Sequence, residues 1–145
     1  MGRRSEGEPD ARPVVAVVDD DPDFRRLIGQ YLQAGGYSVI EMQNGSALDP
    51  GAAAPCALIV LDIVMPDCEG LETLRRLRRQ SVRTPILAVS GVDRASMYLK
   101  IARMLGANAT CDKATLTRNP MAVIGRLAPA GDEAMAGAVR VGPRE

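Results

Sequence analysis

The chain has 145 residues, 46% of them hydrophobic and 25% charged, and its 18 basic residues balance its 18 acidic ones. This length and composition predict one globular domain, and the balanced charge gives no electrostatic reason to expect nucleic acid as a partner. No apolar run approaches the roughly 20 residues of a membrane span, so we expect no membrane partner. The cysteines, Cys56, Cys68 and Cys111, are odd in number and lack metal-ligand spacing, which suits a reducing cytoplasm.

The first predicted strand covers residues 14–18 and follows a polar leader, residues 1–12, that we expect to be flexible. The strand is a β-branched run that stops at three carboxylates, those of Asp19, Asp20 and Asp21. Because a proline comes next, Asp20 or Asp21 is expected to cap a helix that begins there.

The third strand is the most distinctive stretch of the chain. A second strand is predicted at residues 37–42, and then a helix at 46–53 that Pro50 should shorten or distort. The third strand is a short run, residues 57–61, that is apolar on both faces and ends at Asp62. Such a run indicates a buried parallel strand. A lone aspartate at its end is more often a turn residue than a reactive group, unless other charged groups converge on it.

The third predicted helix follows a loop at residues 67–70 and carries a basic run on its outer side. We interpret this run most simply as a solvated face, with a partner surface as the alternative. The run consists of Arg75, Arg76, Arg78 and Arg79.

Two more strands complete the pattern. The fourth, residues 85–90, ends at Ser90, and the fifth, residues 109–112, is followed by Lys113. The helices after them are predicted at residues 97–105 and 121–127, and a loose tail at 129–145.

Strand followed by helix, five times over, predicts an α/β domain at residues 13–128 with a parallel sheet between two helix layers. In such a sheet the carboxyl ends of all strands lie at one edge, and ligands bind there. The charged and hydroxyl groups at the strand ends are therefore expected to meet: Asp19, Asp20, Asp62, Ser90 and Lys113.

This set of groups predicts phosphoryl chemistry on an aspartate. Crowded carboxylates repel one another unless a cation lies among them, and an all-oxygen site suits Mg²⁺. The chain has no histidine, which excludes Ser-His-Asp and Cys-His systems. Asp62 is then placed as the nucleophile that forms an aspartyl phosphate, with Lys113 and Ser90 at other phosphoryl oxygens. In the alternative, the first aspartates only cap a helix and Lys113 pairs with an acid.

The joint order and spacing of these residues resemble the receiver domain of two-component response regulators. The resemblance extends over about residues 13–128 and implies a flavodoxin-like (βα)5 fold with five parallel strands in the order 2-1-3-4-5. It rests on residues 17–22 with Arg25, Leu61-Asp62 with Met65-Pro66, Ser90-Gly91, Gly106-Ala107, and Lys113.

The resemblance also implies a function. Asp62 would accept a phosphoryl group from the phosphohistidine of a sensor histidine kinase or a phosphotransfer protein, in a Mg²⁺-dependent reaction. Asp20 and Asp62 would bind Mg²⁺ directly, together with the backbone carbonyl of Val64, and Asp19 would bind it through water. Ser90 would report the phosphoryl group to the rest of the domain, as would the lysine. The protein would be a switch rather than an enzyme, apart from slow loss of its own phosphoryl group.

The sequence departs from the family pattern at three places. Ala114 follows the lysine where the family usually has proline, and Thr110 stands where the switch usually has an aromatic residue. Val64 and Val92 are apolar where the family often has polar residues that help water attack. These two valines predict an aspartyl phosphate that hydrolyses slowly.

We therefore predict a stand-alone receiver. Its signal is expected to leave through the fourth helix, the fifth strand and the fifth helix, towards a separate output protein or in a homodimer. Two hypotheses from other classes stay open. A receiver-like scaffold that works without phosphorylation is favoured by Thr110 and Ala114, and a small Mg²⁺ phosphohydrolase is disfavoured because Val64 supplies no general acid or base.

Overall fold

The computed structural model describes residues 12–65, 69–91 and 95–130, and these form a five-stranded parallel sheet in the order β2-β1-β3-β4-β5. The predicted α/β class, flavodoxin-like fold and strand order are confirmed. The strands are β1 (Val14–Val18), β2 (Ser38–Met42), β3 (Leu58–Asp62), β4 (Ile86–Ser90) and β5 (Ala109–Asp112).

Helices connect the strands and cover both faces of the sheet. Asp21 caps the first helix, because its side chain accepts a hydrogen bond from the backbone N–H of Asp23. The helices are α1 (Pro22–Ala34), α2 (Pro50–Ala53), α3 (Glu69–Arg79), α4 (Ala95–Leu105), α5 (Lys113–Arg118) and α6 (Pro120–Leu127), with a 3-10 turn at Gly45–Ala47.

The central strands are apolar on both faces because a helix layer lies on each. All five residues of β3 and of β4 are buried, as the unbroken apolar runs predicted. Burying one such side chain contributes about 1.5–3 kcal/mol. The helix residues that pack on one face are Leu74, Leu77 and Ala102, and those on the other are Phe24, Ile28, Leu32, Leu116 and Ile124.

The helical segment after β5 differs from the prediction. A single helix was expected at residues 121–127, but a separate helix, α5, begins directly at Lys113. Asn119 ends α5 and caps α6 by accepting a hydrogen bond from the N–H of Ala122. Pro120, which has no N–H to donate, then opens α6.

The helix predicted at residues 46–53 is shortened, as Pro50 led us to expect, but the proline lies at its start rather than in its middle. Pro50 does not interrupt a helix there, since it is the first residue of α2 and Asp49 caps that helix. The stretch before it forms only a 3-10 turn. Similarly, α3 begins at Glu69, inside the predicted loop.

Two arginines of the basic run are structural rather than solvated. Arg78 donates to the carbonyl oxygens of Gly106, Val82 and Thr84 and to the side chain of Asn108, at 2.8–3.0 Å. Arg76 donates to two backbone carbonyl oxygens in the segment between β2 and β3. The two helix neighbours Arg75 and Arg79 are exposed, as predicted.

The packed part of the chain reaches Ala130, which is buried. Tyr37 fastens this end because its hydroxyl donates to the carbonyl of Ala128. The leader before residue 12, the loop at 66–68, Val92 and the tail beyond residue 130 lie outside the described residues. Within the described part of the chain, no helix is long and apolar enough to cross a membrane.

Candidate functional site

The candidate site lies at the carboxyl ends of β1, β3, β4 and β5. Asp19 and Asp20 directly follow β1, and Asp62 is the last residue of β3. Ser90 is the last residue of β4, in register with Asp112 of β5, and Lys113 follows next. The parallel order of the strands therefore brings residues that are up to 94 positions apart in sequence to one edge.

The three carboxylates form a cluster. Each of Asp19, Asp20 and Asp62 offers an oxygen atom, and these three atoms lie within 4.8 Å of one another. Asp19 and Asp62 are buried, with 1% and 3% of their surfaces exposed, whereas Asp20 is exposed. Two acids are thus held away from water while the third opens the cluster to solvent.

Lys113 supplies the positive charge nearest to the cluster. Its ammonium nitrogen lies 2.7 Å from Oδ2 of Asp19 and 3.2 Å from Oδ2 of Asp62. Burial by itself would lower the pKa of this ammonium, but the hydrogen bond to Asp19 and the charges of both carboxylates raise it above its usual value. The side chain is therefore a cation at neutral pH.

The environment of Asp62 favours its protonated form. Burial, and then the charge of Asp19, raise the pKa of Asp62 from 3.8 to about 6. Two contacts act in the opposite direction: the N–H of Val64, which donates to Oδ1 at 2.9 Å, and the ammonium of Lys113. The ion pair thus compensates only part of the cost of crowding two buried acids.

Asp19 is fixed through both its side chain and its backbone. Its Oδ1 accepts a hydrogen bond from the N–H of Asp21 at 2.9 Å. Its carbonyl oxygen accepts one from Arg25 on α1 at 2.6 Å, and Arg25 also pairs with Glu41 of β2 at 3.3 Å. The first turn of α1 therefore holds the end of β1 in place.

The remaining predicted site residues lie on the same edge. Ser90 is fully buried and lies on β4, next to β3. Asp62 of β3 is in register with Val89, the residue before Ser90. Val64 is half-buried, and its backbone contacts Asp62 through the N–H described above. Peptide bonds among the described residues are all trans, including that between Lys113 and Ala114.

Sequence reasoning missed two residues that contact Lys113. The ammonium nitrogen lies 4.5 Å from the ring centroid of Phe24, which the apolar periodicity had assigned only to the core. A side-chain carbon at Gly91 would lie 3.1 Å from Cδ of Lys113, so the lysine stem runs close over this glycine. The signal for Phe24 was its place in the first turn of the helix that follows the acids.

The donor set fits a divalent cation of the Mg²⁺ type. It consists of oxygen atoms alone, and three carboxylates concentrate more negative charge than one lysine neutralises. Buried Oδ2 of Asp19 has Lys113 as its ionic partner and accepts no other hydrogen bond within the described residues. Asp19, Asp20 and Asp62 are the groups that would hold the ion.

Comparison with protein families gives a match over most of the chain. The model of the family described as response regulator receiver domain matches residues 15–123. The transcriptional regulatory protein ResD of Bacillus subtilis is 38% identical over 77 residues, which are 52% of this chain and 32% of that protein. The chain thus spans about a third of the length of this relative.

Solved structures agree with the sequence match. The chemotaxis protein CheY4 of Vibrio cholerae is 26% identical, with a TM-score of 0.69 over 79% of this chain and 98% of that one. The receiver domain of the histidine kinase CKI1 from Arabidopsis thaliana, solved in complex with Mg²⁺, is 29% identical. Its TM-score is 0.67, over 79% of this chain and 90% of that one.

Proposed function

The chain belongs to the response regulator receiver domain family, and from that premise we propose that it is a phosphorylation-controlled switch. In this proposal Asp62 accepts a phosphoryl group from the phosphohistidine of a sensor histidine kinase or a phosphotransfer protein in the cytoplasm. The modified domain then signals by a change in its surface. Members of this family are in general switches rather than enzymes.

The observation that supports the proposal most strongly is that Asp62 lies beside both a cation and a second acid. A buried carboxylate that served only as a turn residue would not need Lys113 at 3.2 Å and Asp19 beside it. Groups that burial and specific charged partners perturb in this way are typical of reactive sites.

The proposed reaction is a transfer between two nucleophiles. A carboxylate oxygen of Asp62 forms a bond to phosphorus while the P–N bond to the donor histidine breaks. The imidazole keeps the electron pair of that bond and takes up a proton. Lys113, a cation close to Asp62, stabilises the negative charge on the phosphoryl oxygens, and the hydroxyl of Ser90 is proposed to donate to one of them.

The acid cluster is proposed to take part in this reaction by binding Mg²⁺ next to Asp62. When bound, Mg²⁺ supplies positive charge that neutralises the carboxylates and the phosphoryl oxygens during transfer. Asp20 is exposed and is therefore accessible to a hydrated ion, whereas Asp19 is rigidly held by its hydrogen bonds. Both residues are proposed to hold the ion together with Asp62 and the carbonyl of Val64.

The proposed output surface is the face formed by α4, β5 and the helical segment after β5. On α4, Met97 and Met104 are 66% and 85% exposed, and such apolar side chains suit a protein partner or a second copy of the chain. The curated relative ResD is a transcriptional regulator about three times as long as the part matched here. The expectation that nucleic acid is no partner rests on the charge balance of these 145 residues and applies to them alone.

A receiver-like scaffold is the second candidate function. It is favoured by Thr110, a half-buried residue at the place where the family switch usually has an aromatic ring. In that case the surface would bind its partner equally well with and without a phosphoryl group on Asp62.

Intact-mass measurement after incubation with Mg²⁺ and acetyl phosphate tests the proposal. We expect one added phosphoryl group on the wild-type protein and none on Asp62→Asn or in a metal-free control. A wild-type protein that stays unmodified, under conditions that label another receiver, would favour the scaffold instead.

A further inference from the structure

We propose that the ring of Phe24 positions the ammonium group of Lys113 between Asp19 and Asp62, so that Phe24 is a positioning residue for phosphoryl transfer. The expected effect on the rate of phosphoryl transfer rests on the proposed function. The structural part of the inference, the hold on the ammonium, can be tested on the metal-free protein.

The contacts of the ammonium group are what suggest this role. The nitrogen of Lys113 has three partners: Asp19 at 2.7 Å, Asp62 at 3.2 Å and the ring centroid of Phe24 at 4.5 Å. A cation within about 6 Å of an aromatic centroid is attracted by the negative face of the ring. The ring is 8% exposed, so little water lies between to weaken this attraction.

The ring differs from the other two partners in one respect that matters for the reaction. When Mg²⁺ or a phosphoryl group binds to the carboxylates, their own negative charge is partly neutralised. The carboxylates then attract the ammonium less strongly. The ring of Phe24 carries no charge, and neither ligand is expected to bind it. It therefore keeps Lys113 near Asp62 in every state of the site.

The lysine side chain is also confined along its length. A methyl group at Gly91 would lie only 3.1 Å from its Cδ, so the lysine stem passes close to this glycine. With the stem against Gly91 and the nitrogen against Phe24, the ammonium has few other positions to adopt. A leucine at position 24 would keep an apolar side chain in the core but would remove the aromatic face from the ammonium.

The alternative is that Phe24 only packs in the core. It belongs to the cluster that includes Ile28, Leu116 and Val17, so a packing role is certain and the question is whether the ring does more. The two roles respond differently to fluorine, because fluorination keeps the ring apolar and similar in shape while it removes the negative charge of its face.

The composition of the chain makes this experiment direct. Phe24 is the only phenylalanine in the sequence, so growth on fluorinated phenylalanine changes this ring alone. Lys113 shares its residue type only with Lys100, an exposed residue of α4. Side-chain ¹⁵N relaxation can therefore follow the ammonium of Lys113 with Lys100 as an internal control.

The test compares protein that carries phenylalanine, 4-fluorophenylalanine, 3,5-difluorophenylalanine or pentafluorophenylalanine. We expect the order of the Lys113 ammonium in the metal-free protein to fall step by step along the series, while that of Lys100 stays constant. The rate of labelling by Mg²⁺ and acetyl phosphate should fall in parallel, by about threefold to tenfold at the end of the series. The protein should stay fully folded at the temperature of the labelling reaction, and its melting temperature should fall by no more than about 5 °C, since one attraction of this size is lost.

Two results would overturn the inference. If the order of Lys113 and the labelling rate are both constant along the series, the ring only packs. If the rate falls only in samples that are partly unfolded at the temperature of the labelling reaction, the effect is on the fold. A protein with phenylalanine that takes up no phosphoryl group would contradict the proposed function, and the relaxation data would still decide whether the ring holds the ammonium.

Discussion

The ammonium nitrogen of Lys113 lies 2.7 Å from Oδ2 of Asp19, a side chain that is 1% exposed. This ion pair joins the end of β1 to the beginning of α5. Its two residues are 94 positions apart in the sequence. In the absence of a metal ion, it is the main compensation for placing Asp19 next to Asp62. The stability of the metal-free protein should therefore depend on this lysine.

Replacing Lys113 with methionine should destabilise the metal-free protein by about 2–4 kcal/mol, since two neighbouring carboxylates would lose their cation. Urea unfolding in the presence of EDTA measures this loss. Excess Mg²⁺ should recover more stability in the variant than in the wild type, because the site becomes more negative. Lys100→Met, which removes the other lysine from an exposed position, is the control and should be nearly neutral. Equal losses in the two variants would contradict the role of the ion pair.

The raised pKa of Asp62, about 6 in the folded protein against 3.8 for an ordinary aspartate, predicts a pH dependence. The folded state holds this proton more tightly than the unfolded chain does. The stabilising contribution is therefore fully present below about pH 4 and is lost as the pH rises through about 6.

The variant Asp62→Asn has no carboxyl group at this position, so it should not lose stability in this way as the pH rises. Without metal, its stability should exceed that of the wild type by a margin that grows between about pH 4 and pH 7, to the order of 1–3 kcal/mol. Unfolding curves at several pH values, with EDTA present, measure the margin. A margin that is constant with pH would mean that Asp62 titrates normally.

Val64 is expected to slow the loss of the phosphoryl group. It is half-buried two residues beyond Asp62, and its apolar side chain cannot orient a water molecule for attack. The variant Val64→Asn should therefore lose phosphate several times faster than the wild type, as followed by intact mass after removal of acetyl phosphate. Val64→Ile, which keeps the apolar character, should match the wild type. An asparagine variant that loses phosphate no faster would count against this explanation.

Arg78 should be the most important residue of the basic run for stability. It donates to three backbone carbonyl oxygens and one amide side chain, and so connects α3 to the loop before β4 and to the turn between α4 and β5. The methionine variant should lose about 2–4 kcal/mol, since it leaves these acceptors without a donor. The corresponding change at Arg75, which is exposed, should stay within about 0.5 kcal/mol. Urea unfolding of the two variants side by side provides the comparison.

Gly70 allows the beginning of α3 to pack closely against the backbone at Asp62. A side-chain carbon at this position would lie 2.1 Å from the carbonyl oxygen of Asp62 and 2.5 Å from Cα of Ile63, both backbone atoms. Gly70→Ala should therefore displace α3, destabilise the protein by about 2 kcal/mol or more, and slow the labelling of Asp62. Gly51→Ala in α2 meets only Asp49, at 3.5 Å, and should be neutral or slightly stabilising. Comparable melting temperatures for the two variants would show that the close approach is not needed.

The sequence alone determined the elements that depend on local pattern. The runs at residues 14–18, 57–61 and 85–90 were predicted as buried strands, because they are mainly apolar and too short for a helix. Parallel strands connected by helices place all carboxyl ends at one edge, so Asp62 and Lys113 were expected to meet before any coordinate was known. This meeting is found in the structure, and so is the strand order that the family resemblance implied.

Only the tertiary structure decided which groups touch and with what effect. Arg75 and Arg78 are indistinguishable in a local pattern, yet the second donates four hydrogen bonds to residues that lie up to 30 positions away. Phe24 has the spacing of a core residue, and its contact with Lys113 depends on how α1 and α5 pack. Periodicity reports which face of an element is buried, whereas partners, distances and the pKa of Asp62 depend on long-range contacts and burial. These quantities have no signal in the local sequence.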